Sequence, residues 1–289
     1  MTPYRRLERE VLFTGRGLHT GEECRVVLTP GMEGEGVLLR GRETFYPVED
    51  SAFSGTGRGT ELFLPDGTSL KTPEHLFATL AGLGVWSVRI AAEGPEIPAL
   101  DGCSVAFAKV IEANSTPADD GGKGPEPMAL PFPLIVENRD RGAVLAAFPS
   151  DELFLSYVIT YEGTAIGTQA SDFRPPADDF LPLLAPARTF ALESEVQALL
   201  DRGLAKGGSM ENAIVAGKNA VAAAGGLRFP DEFARHKILD LLGDLYLLGR
   251  PLRARIFALR AGHDLHCRLV ERLHSVRSRK FNTKENEHA

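Results

Sequence analysis

Residues 226–250 read GLRFPDEFARHKILDLLGDLYLLGR, and this stretch predicts a long helix in the interior of the protein. Pro230 suits a first helical position, and Gly249 followed by Pro251 suits a helix end. A helix that is apolar nearly all round is expected to be buried. The apolar positions of this helix are Ile238, Leu239, Leu241, Leu242, Leu245, Leu247 and Leu248.

Three polar residues interrupt this apolar run, at positions i, i+4 and i+8. They are His236, Asp240 and Asp244. Each step of four residues advances only ~40° around the helix axis, so all three share one face. Buried polar groups need partners, and a metal ion is one good partner. A His–Asp pair satisfied inside a core is the alternative, which the helix taken alone slightly favours.

The composition is that of a globular protein without unusual charge. The chain has 289 residues, a net charge of −7 and a pI of about 5.6, so no basic excess indicates nucleic-acid binding. No stretch of ~18 apolar residues predicts a membrane span, and residues 1–10 lack the apolar core of a secretory signal. The cysteines (Cys24, Cys103 and Cys267) are few and far apart, and we expect a cytoplasmic protein.

A second helix is predicted in KTPEHLFATLAGLG, residues 71–84. Thr72 suits an N-cap and Pro73 a first helical position, while Gly82 or Gly84 suits the end. Glu74 and His75 then lie in the first turn, where free backbone N–H groups stabilise an ionised carboxylate. Taken alone, the pair favours the alternative of an ordinary acidic first turn with a capping histidine.

The remaining segments predict strands joined by turns and short helices. Residues 5–30 read as a β-hairpin whose turn precedes His19. His19 could contact a ligand there, but by default we interpret it as structural or exposed. SGTGRGT at 54–60 lacks the Gly-Lys-Ser/Thr ending of a P-loop and is interpreted as a loop. IGTQASDF at 166–173 is also predicted to be a loop, and residues 193–202 a helix.

The chain divides at a segment rich in Pro, Gly and Asp. This linker, 114–128, separates an N-terminal domain (1–113) from a C-terminal domain (129–274), and 275–289 is predicted to be a disordered tail. EHLFATLAGLG in the first half echoes RHKILDLLGDLYLLG in the second. We therefore expect an α+β protein made of two similar two-layer domains whose helices face each other across a cleft.

The two predicted helices together offer a catalytic metal site. His75, His236 and Asp240 make a two-His, one-carboxylate set with a position left for water, as in catalytic zinc sites. Glu74 beside it suits a general base. A competing set, His263, His266 and Cys267, offers a different place for a metal.

Several motifs resemble those of the UDP-3-O-acyl-N-acetylglucosamine deacetylases, the zinc amidases of lipid A biosynthesis. The resemblance runs from about residue 6 to 272, and its motifs are GRGLHTGE, TPEHLFATLAGLG, EIPALDG, IGTQ, APARTF, GLAKGGSMENAIV, RFPDEFARHKILDLLGDLYLLG and AGH. It implies a β-α-α-β sandwich, in which the helices of two similar sheet-helix domains pack together between the sheets. It also implies hydrolysis of the N-acetyl group of UDP-3-O-((3R)-hydroxyacyl)-N-acetylglucosamine by a monomeric enzyme with Zn²⁺, or Fe²⁺, as cofactor.

The resemblance also implies roles for individual residues. The metal ligands correspond to His75, His236 and Asp240, and the general base to Glu74. The other catalytic positions are His263 as the acid, Asp244 as the residue that orients it, and Thr189 at the oxyanion. The implied substrate-binding residues are Lys237, Phe190, Leu192, Glu195, Val196, Gly208 and Ser209, with a hydrophobic acyl passage between Leu192 and Val215.

The sequence departs from the family's pattern at a few positions. His266 and Cys267 stand where the family usually has two asparagines, Glu195 where aspartate is common, and Lys206 where the residue is often apolar. Two alternatives stay open: a zinc amidase acting on another N-acetylated amino sugar, and a binding protein that keeps the fold without turnover.

Overall fold

The structure is a computed structural model that describes residues 3–56, 58–118, 124–176 and 178–286, with only the backbone described from 278 onward. The first half of the chain forms, in order, β1 (Arg5–Leu7), β2 (Val11–Arg16), β3 (Glu23–Pro30), β4 (Val37–Arg40), β5 (Phe45–Pro47), β6 (Ala52–Thr56), β7 (Gly59–Phe63), β8 (Ser69–Lys71), α1 (Glu74–Leu83), β9 (Val88–Glu93), α2 (Val105–Ala113) and β10 (Ser115–Pro117).

The second half repeats this kind of arrangement. It forms, in order, β11 (Met128–Ala129), β12 (Leu134–Asn138), β13 (Ala143–Pro149), β14 (Phe154–Tyr161), β15 (Gly167–Phe173), α3 (Phe180–Leu183), β16 (Phe190–Leu192), α4 (Glu193–Asp201), β17 (Ile214–Ala216), β18 (Val221–Ala222), α5 (Glu232–Leu245), β19 (Leu252–Leu259) and α6 (His263–Asn286).

The two main sheets share one topology. The first has the strand order β2-β3-β9-β4-β5 and the second β12-β13-β19-β14-β15, with β11 paired beside β19. In each sheet the last strand enters between two hairpins, antiparallel to one neighbour and parallel to the other. The weak sequence echo therefore corresponds to two sheets of the same strand order. In each half, a long helix directly precedes the last strand of the sheet.

The long helices α1 and α5 pack against each other and form the interior layer. Every residue of α1 except His75 is buried, and α5 is buried along nearly all of its length. Gly243 of α5 permits a close approach, since a Cβ there would lie 2.0 Å from the backbone oxygen of Glu74. The contact sets the N-terminal turn of α1 directly beside the polar face of α5.

Each half also carries an insert between its fourth sheet strand and its long helix. The first insert is the small sheet β6-β7-β8, and the second combines β16, β17 and β18 with α4. Backbone hydrogen bonds from Lys206 and Gly207 to His19 and Leu18 join the second insert to the turn of the first hairpin. The inserts thus meet over one end of the helix layer.

Several local predictions are confirmed and others are wrong. The hairpin in 5–30, the helix at 193–202 and the helix beginning at His263 are present. IGTQASDF is not a loop but β15, which pairs along its whole length with β14. The glycine-rich segment 54–60 is not simply a loop but spans parts of β6 and β7. Its Gly55 leaves room for α6, because a Cβ at this position would lie 2.0 Å from the backbone oxygen of His263.

The helix starts and the chain end also differ from the prediction. Thr72 has a positive φ of 53° and does not cap α1, and α5 begins at Glu232 rather than at Pro230. α6 continues to Asn286 through the segment that we predicted as a disordered tail, where Val276 is buried and Arg277 contacts Glu49 at 3.1 Å. The two ends of the predicted linker contain residues of the short strands β10 and β11. Residues 119–123 of the linker lie outside the described residues.

Candidate active site

A polar cluster lies where the first turn of α1, the middle of α5 and the start of α6 meet. Glu74 and His75 come from α1, His236, Asp240 and Asp244 from α5, and His263 from α6. The three positions on α5 are one face of the helix, as their spacing of four predicts. All of these residues except His75 are buried, although the helices around them are otherwise apolar.

His75, His236 and Asp240 have the geometry of a metal site. The Nε2 atoms of His75 and His236 each lie 3.5 Å from Oδ1 of Asp240, and the ring centroids are 5.1 Å apart. Ligand atoms at about 2.0–2.1 Å from a tetrahedral zinc lie about 3.3 Å from one another, so these separations fit a shared ion. These residues therefore form a group that could hold a metal.

The ligand orientations are fixed by partners behind them. Nδ1 of His236 lies 3.3 Å from the backbone oxygen of Ala187, which directs Nε2 toward the cluster. Burial lowers the pKa of His236 to about 3, so its ring is neutral and can bind a cation. Ser104 donates to the backbone oxygen of His75 at 2.9 Å. A backbone oxygen at the second ring nitrogen, as at His236, commonly orients a metal-binding imidazole.

Glu74 is placed and tuned as a proton acceptor. Burial raises the pKa of its carboxyl to about 7, with added repulsion from Asp244 and Asp240 and an opposing effect of His263. The backbone N–H of Thr60 faces its Oε2 at 3.4 Å. A carboxyl with a pKa near neutrality exchanges protons readily at working pH.

His263 lies opposite Glu74 with two carboxylates beside it. Its Nδ1 donates to Oδ2 of Asp244 at 2.8 Å, and its Nε2 lies 3.5 Å from Oδ2 of Asp240. Burial lowers the pKa of His263, but the attraction of Asp244 and Asp240 outweighs that effect and raises it well above the usual value. The ring is therefore a cation that can give up a proton.

Asp240 connects the candidate metal set to a partly buried lysine. Lys237 Nζ donates to Oδ2 of Asp240 at 2.8 Å and lies 5.7 Å from the centre of the Phe190 ring. Burial opposes ionisation of Asp240, but the charges of His236, Lys237 and His263 hold its pKa well below the usual range. The carboxylate stays ionised, as a metal ligand must be.

A cleft with about 1140 Å³ of empty volume, counting its open mouth, leads to this cluster. Of the predicted residues, it is lined by Glu74, His75, Thr189, Phe190, Leu192, Glu195, Gly208, His236, Lys237, Asp240 and His263. Asp244 lies behind His263, while Val196 and Ser209 do not line the cleft. Ser209 is exposed, and its N–H donates to Asn212 at 2.7 Å.

The cleft includes residues that we did not assign to the site from the sequence. His19, which we interpreted as structural, lines it, as do Arg58 and Tyr161. Arg58 forms an ion pair with Glu195 at 2.9 Å across the two inserts. The Thr60 hydroxyl donates to Asp244 at 2.6 Å. The glycines near Thr60 in the sequence could have indicated that another element packs closely against this segment.

The competing metal set is rearranged in the structure. His263 and His266 come together, but with Asp244 rather than Cys267 as the third member. Burial raises the pKa of Cys267, which keeps it a thiol, and its Sγ lies 3.9 Å from the Thr60 hydroxyl. Two groups of His and carboxylate side chains among the described residues could thus hold a metal. They are His75, His236 and Asp240, and Asp244, His263 and His266.

Comparison with known proteins gives the family. The family model described as UDP-3-O-acyl N-acetylglycosamine deacetylase matches residues 4–275. The chain belongs to this deacetylase family. Its members are metal-dependent enzymes that act on an amide.

Individual relatives agree along almost the whole chain. The protein named UDP-3-O-acyl-N-acetylglucosamine deacetylase from Chlamydia trachomatis serovar L2 is 38% identical over 273 residues, which cover 93% of this chain and 94% of that protein. The proteins of the same name from Chlamydia caviae and from Synechocystis are each 37% identical, over 281 and 263 residues. These matches cover 94% and 90% of this chain, and 97% and 94% of the respective relatives.

Within the described residues, no helix combines the length and the apolar character needed to cross a bilayer.

Proposed function

We propose that the chain hydrolyses the N-acetyl group of UDP-3-O-((3R)-hydroxyacyl)-N-acetylglucosamine to acetate and the free amine, the committed step of lipid A biosynthesis, with one Zn²⁺ ion at His75, His236 and Asp240. Fe²⁺ suits the same ligands. The observation that carries the proposal is the convergence of these three ligand atoms beside Glu74 and His263 at the bottom of one cleft.

A divalent cation in this site supplies Lewis-acid polarisation of the amide carbonyl and lowers the pKa of water. Glu74 accepts the proton of the attacking water, which its pKa of about 7 permits. His263 gives a proton from Nε2 to the departing nitrogen, since Nδ1 is engaged by Asp244. Thr189 lines the cleft where its hydroxyl can donate to the developing oxyanion.

The cleft also suits a substrate that carries both negative charge and an apolar chain. Lys237 offers a partly buried cation in the cleft lining near Phe190, which suits a negatively charged group of the substrate. The second insert contributes the apolar residues Leu192, Leu199, Ala205 and Ala213 to the lining. This combination supports an acylated UDP-sugar over a small N-acetylated sugar.

The proposal places the enzyme in the cytoplasm as a monomer. Its cysteines, Cys24, Cys103 and Cys267, are free and buried, which suits a reducing compartment. All the groups assigned to the chemistry come from a single chain.

Acetate release from the acylated UDP-sugar, measured with and without a chelator, tests the proposal. We expect one divalent ion per chain by elemental analysis, turnover that the chelator removes, and loss of stoichiometric metal in His75→Ala and His236→Ala. His274→Gln is the matched control, because His274 lies outside the cleft lining, and it should retain full metal content.

Two results would overturn parts of the proposal. Turnover of another N-acetylated amino sugar, with none of the acylated UDP-sugar, would support the alternative amidase. Full metal content in both histidine variants would move the ion to the group of Asp244, His263 and His266.

A further inference from the structure

A buried hydrogen-bonded chain continues behind Asp244, away from the cleft. Oδ2 of Asp244 accepts from Nδ1 of His263 and from Nδ1 of His266, each at 2.8 Å. Oδ1 accepts from the Thr60 hydroxyl at 2.6 Å. On the far side of His266, Nε2 lies 3.0 Å from the hydroxyl of Tyr157 on β14. Both His266 and Tyr157 are fully buried.

The proton positions in this chain are determined by its chemistry. An ionised carboxylate can only accept, so both Nδ1 atoms that face Asp244 carry protons. Burial lowers the pKa of His266, and the resulting neutral ring has a free lone pair at Nε2. Burial raises the pKa of Tyr157 well above its usual value, so its hydroxyl donates to that lone pair. Every polar atom then has a partner, from β14 through α6 to α5.

We propose that His266 and Tyr157 are positioning residues, which hold the Asp244 carboxylate and, through it, turn the Nε2 atom of His263 toward the cleft. The inference rests on the proposed function for its catalytic consequence. A carboxylate held only by His263 and Thr60 is free to tilt, whereas three donors at its two oxygens fix its plane. The orientation of the His263 ring follows from that plane.

Asp244, His263 and His266, the second group that could hold a metal, have a spacing that suits hydrogen bonds better than a shared ion. The N–O separations of 2.8 Å are hydrogen-bond distances, shorter than the separation of about 3.3 Å between ligands of one tetrahedral ion. Tyr157 also occupies the second nitrogen of His266. The geometry therefore favours a hydrogen-bonded chain over a second ion.

Variants of His266 test the inference on the full-length metal-loaded enzyme. His266→Leu removes the donor to Asp244, and kcat should fall roughly tenfold or more, as for other residues that orient an active-site group. KM and the content of one metal per chain should stay unchanged. His266→Asn places an amide N–H where Nδ1 stands, so it should restore kcat to within about threefold of the original enzyme.

A pair of tyrosine variants supplies a milder test with a matched control. Tyr157→Phe removes one neutral hydrogen bond and should lower kcat about threefold. Tyr246→Phe also removes a fully buried hydroxyl, but that hydroxyl donates to the backbone oxygen of Val85 at 2.6 Å and takes no part in the hydrogen-bonded chain, so kcat should stay unchanged. Long-range ¹H–¹⁵N spectra should show the Nδ1–H form of His266 in both proteins, because Asp244 still requires a donor, and a shifted Nε2 resonance only in Tyr157→Phe.

The outcomes separate this inference from the proposed function. An enzyme that releases no acetate from the acylated UDP-sugar overturns the proposed function. The spectra still test the hydrogen-bonded chain in that case, because they report the tautomer of His266. Unchanged kcat in both His266→Leu and Tyr157→Phe, with only a lower melting temperature, overturns the positioning role. A second metal equivalent that His266→Leu removes overturns it as well.

Discussion

At the residue scale, the proposed mechanism divides the proton transfers between two buried groups, Glu74 and His263. Burial raises the pKa of Glu74 to about 7, and the carboxylates beside His263 raise its pKa well above 6.5. The base form of Glu74 is lost as pH falls below about 7. The acid form of His263 is lost only as pH rises through its raised pKa. The two groups are therefore in their active forms together over a neutral to mildly alkaline range.

This arrangement predicts a bell-shaped profile of kcat/KM against pH. His263→Ala should keep its metal, lose roughly two to four decades of rate and flatten the alkaline limb. Asp244→Asn should move that limb to lower pH, because it removes the charge that stabilises the imidazolium. Rate measurements from pH 5 to 10 on metal-loaded protein check both expectations.

The contrary result at His263 is also definite. A histidine that only caps α6 predicts normal turnover with reduced stability, and such a result would remove it from the mechanism. Loss of metal in His263→Ala would instead make it a ligand.

At the element scale, the start of α5 is held by a buried ion pair. Arg188 donates from Nε to Glu232 Oε1 at 2.8 Å and from Nη2 to Oε2 at 3.1 Å, and both side chains are almost fully buried. Arg188 also donates to the backbone oxygens of Ala224 and Gly226. Its neighbour Ala187 accepts from His236, so the pair fixes the segment before β16 that orients His236, a proposed metal ligand.

Glu232→Gln should therefore destabilise the protein by about 3–5 kcal/mol, because it leaves the Arg188 charge buried without its counter-charge. The matched control is Asp231→Asn, one residue earlier, where the pair with Arg235 at 2.7 Å is about a quarter exposed. Its loss should cost less than about 1 kcal/mol.

Denaturant unfolding of both variants measures the difference. Equal effects of the two substitutions would show that the buried pair is not the anchor of α5.

At the scale of the whole molecule, the cleft is assembled from both halves and from both inserts. The first half supplies the hairpin turn with His19 and the second supplies α4, whose Leu199 is buried against the cleft while Leu200 is 44% exposed. The shared order of the two main sheets places α1 and α5 side by side, and the inserts then enclose the end where their polar residues meet.

We expect the removal of the 3-O-acyl chain from the substrate to lower kcat/KM by orders of magnitude, since each buried CH₂ contributes about 0.8 kcal/mol. Leu199→Ala should weaken this preference, and Leu200→Ala, on the outer side of the same helix, should not. Initial rates on the acylated and deacylated UDP-sugars check both. Equal turnover of the two sugars would mean that the cleft holds no lipid.

Within single elements, the amino-acid sequence was a reliable guide. The spacing of His236, Asp240 and Asp244 placed them on one face of a buried helix, and Gly84 marked the end of α1 in a left-handed conformation with φ of 78°. Both follow from local geometry, since helical period and backbone freedom depend on neighbouring residues alone. The prediction of a loop at IGTQASDF was wrong for the opposite reason, because the strand conformation of this segment depends on its pairing with β14.

By itself, then, the sequence determined the two polar-faced helices, the motifs of the family and the residues able to hold a metal. Only the tertiary structure decided which groups meet. Thr60, Tyr157 and His266 lie on three separate elements, and no period in the chain relates them to Asp244. An apolar pattern specifies that a face is buried, but its partner is chosen by packing across the whole fold, as at Gly243, where the missing side chain admits the first turn of α1.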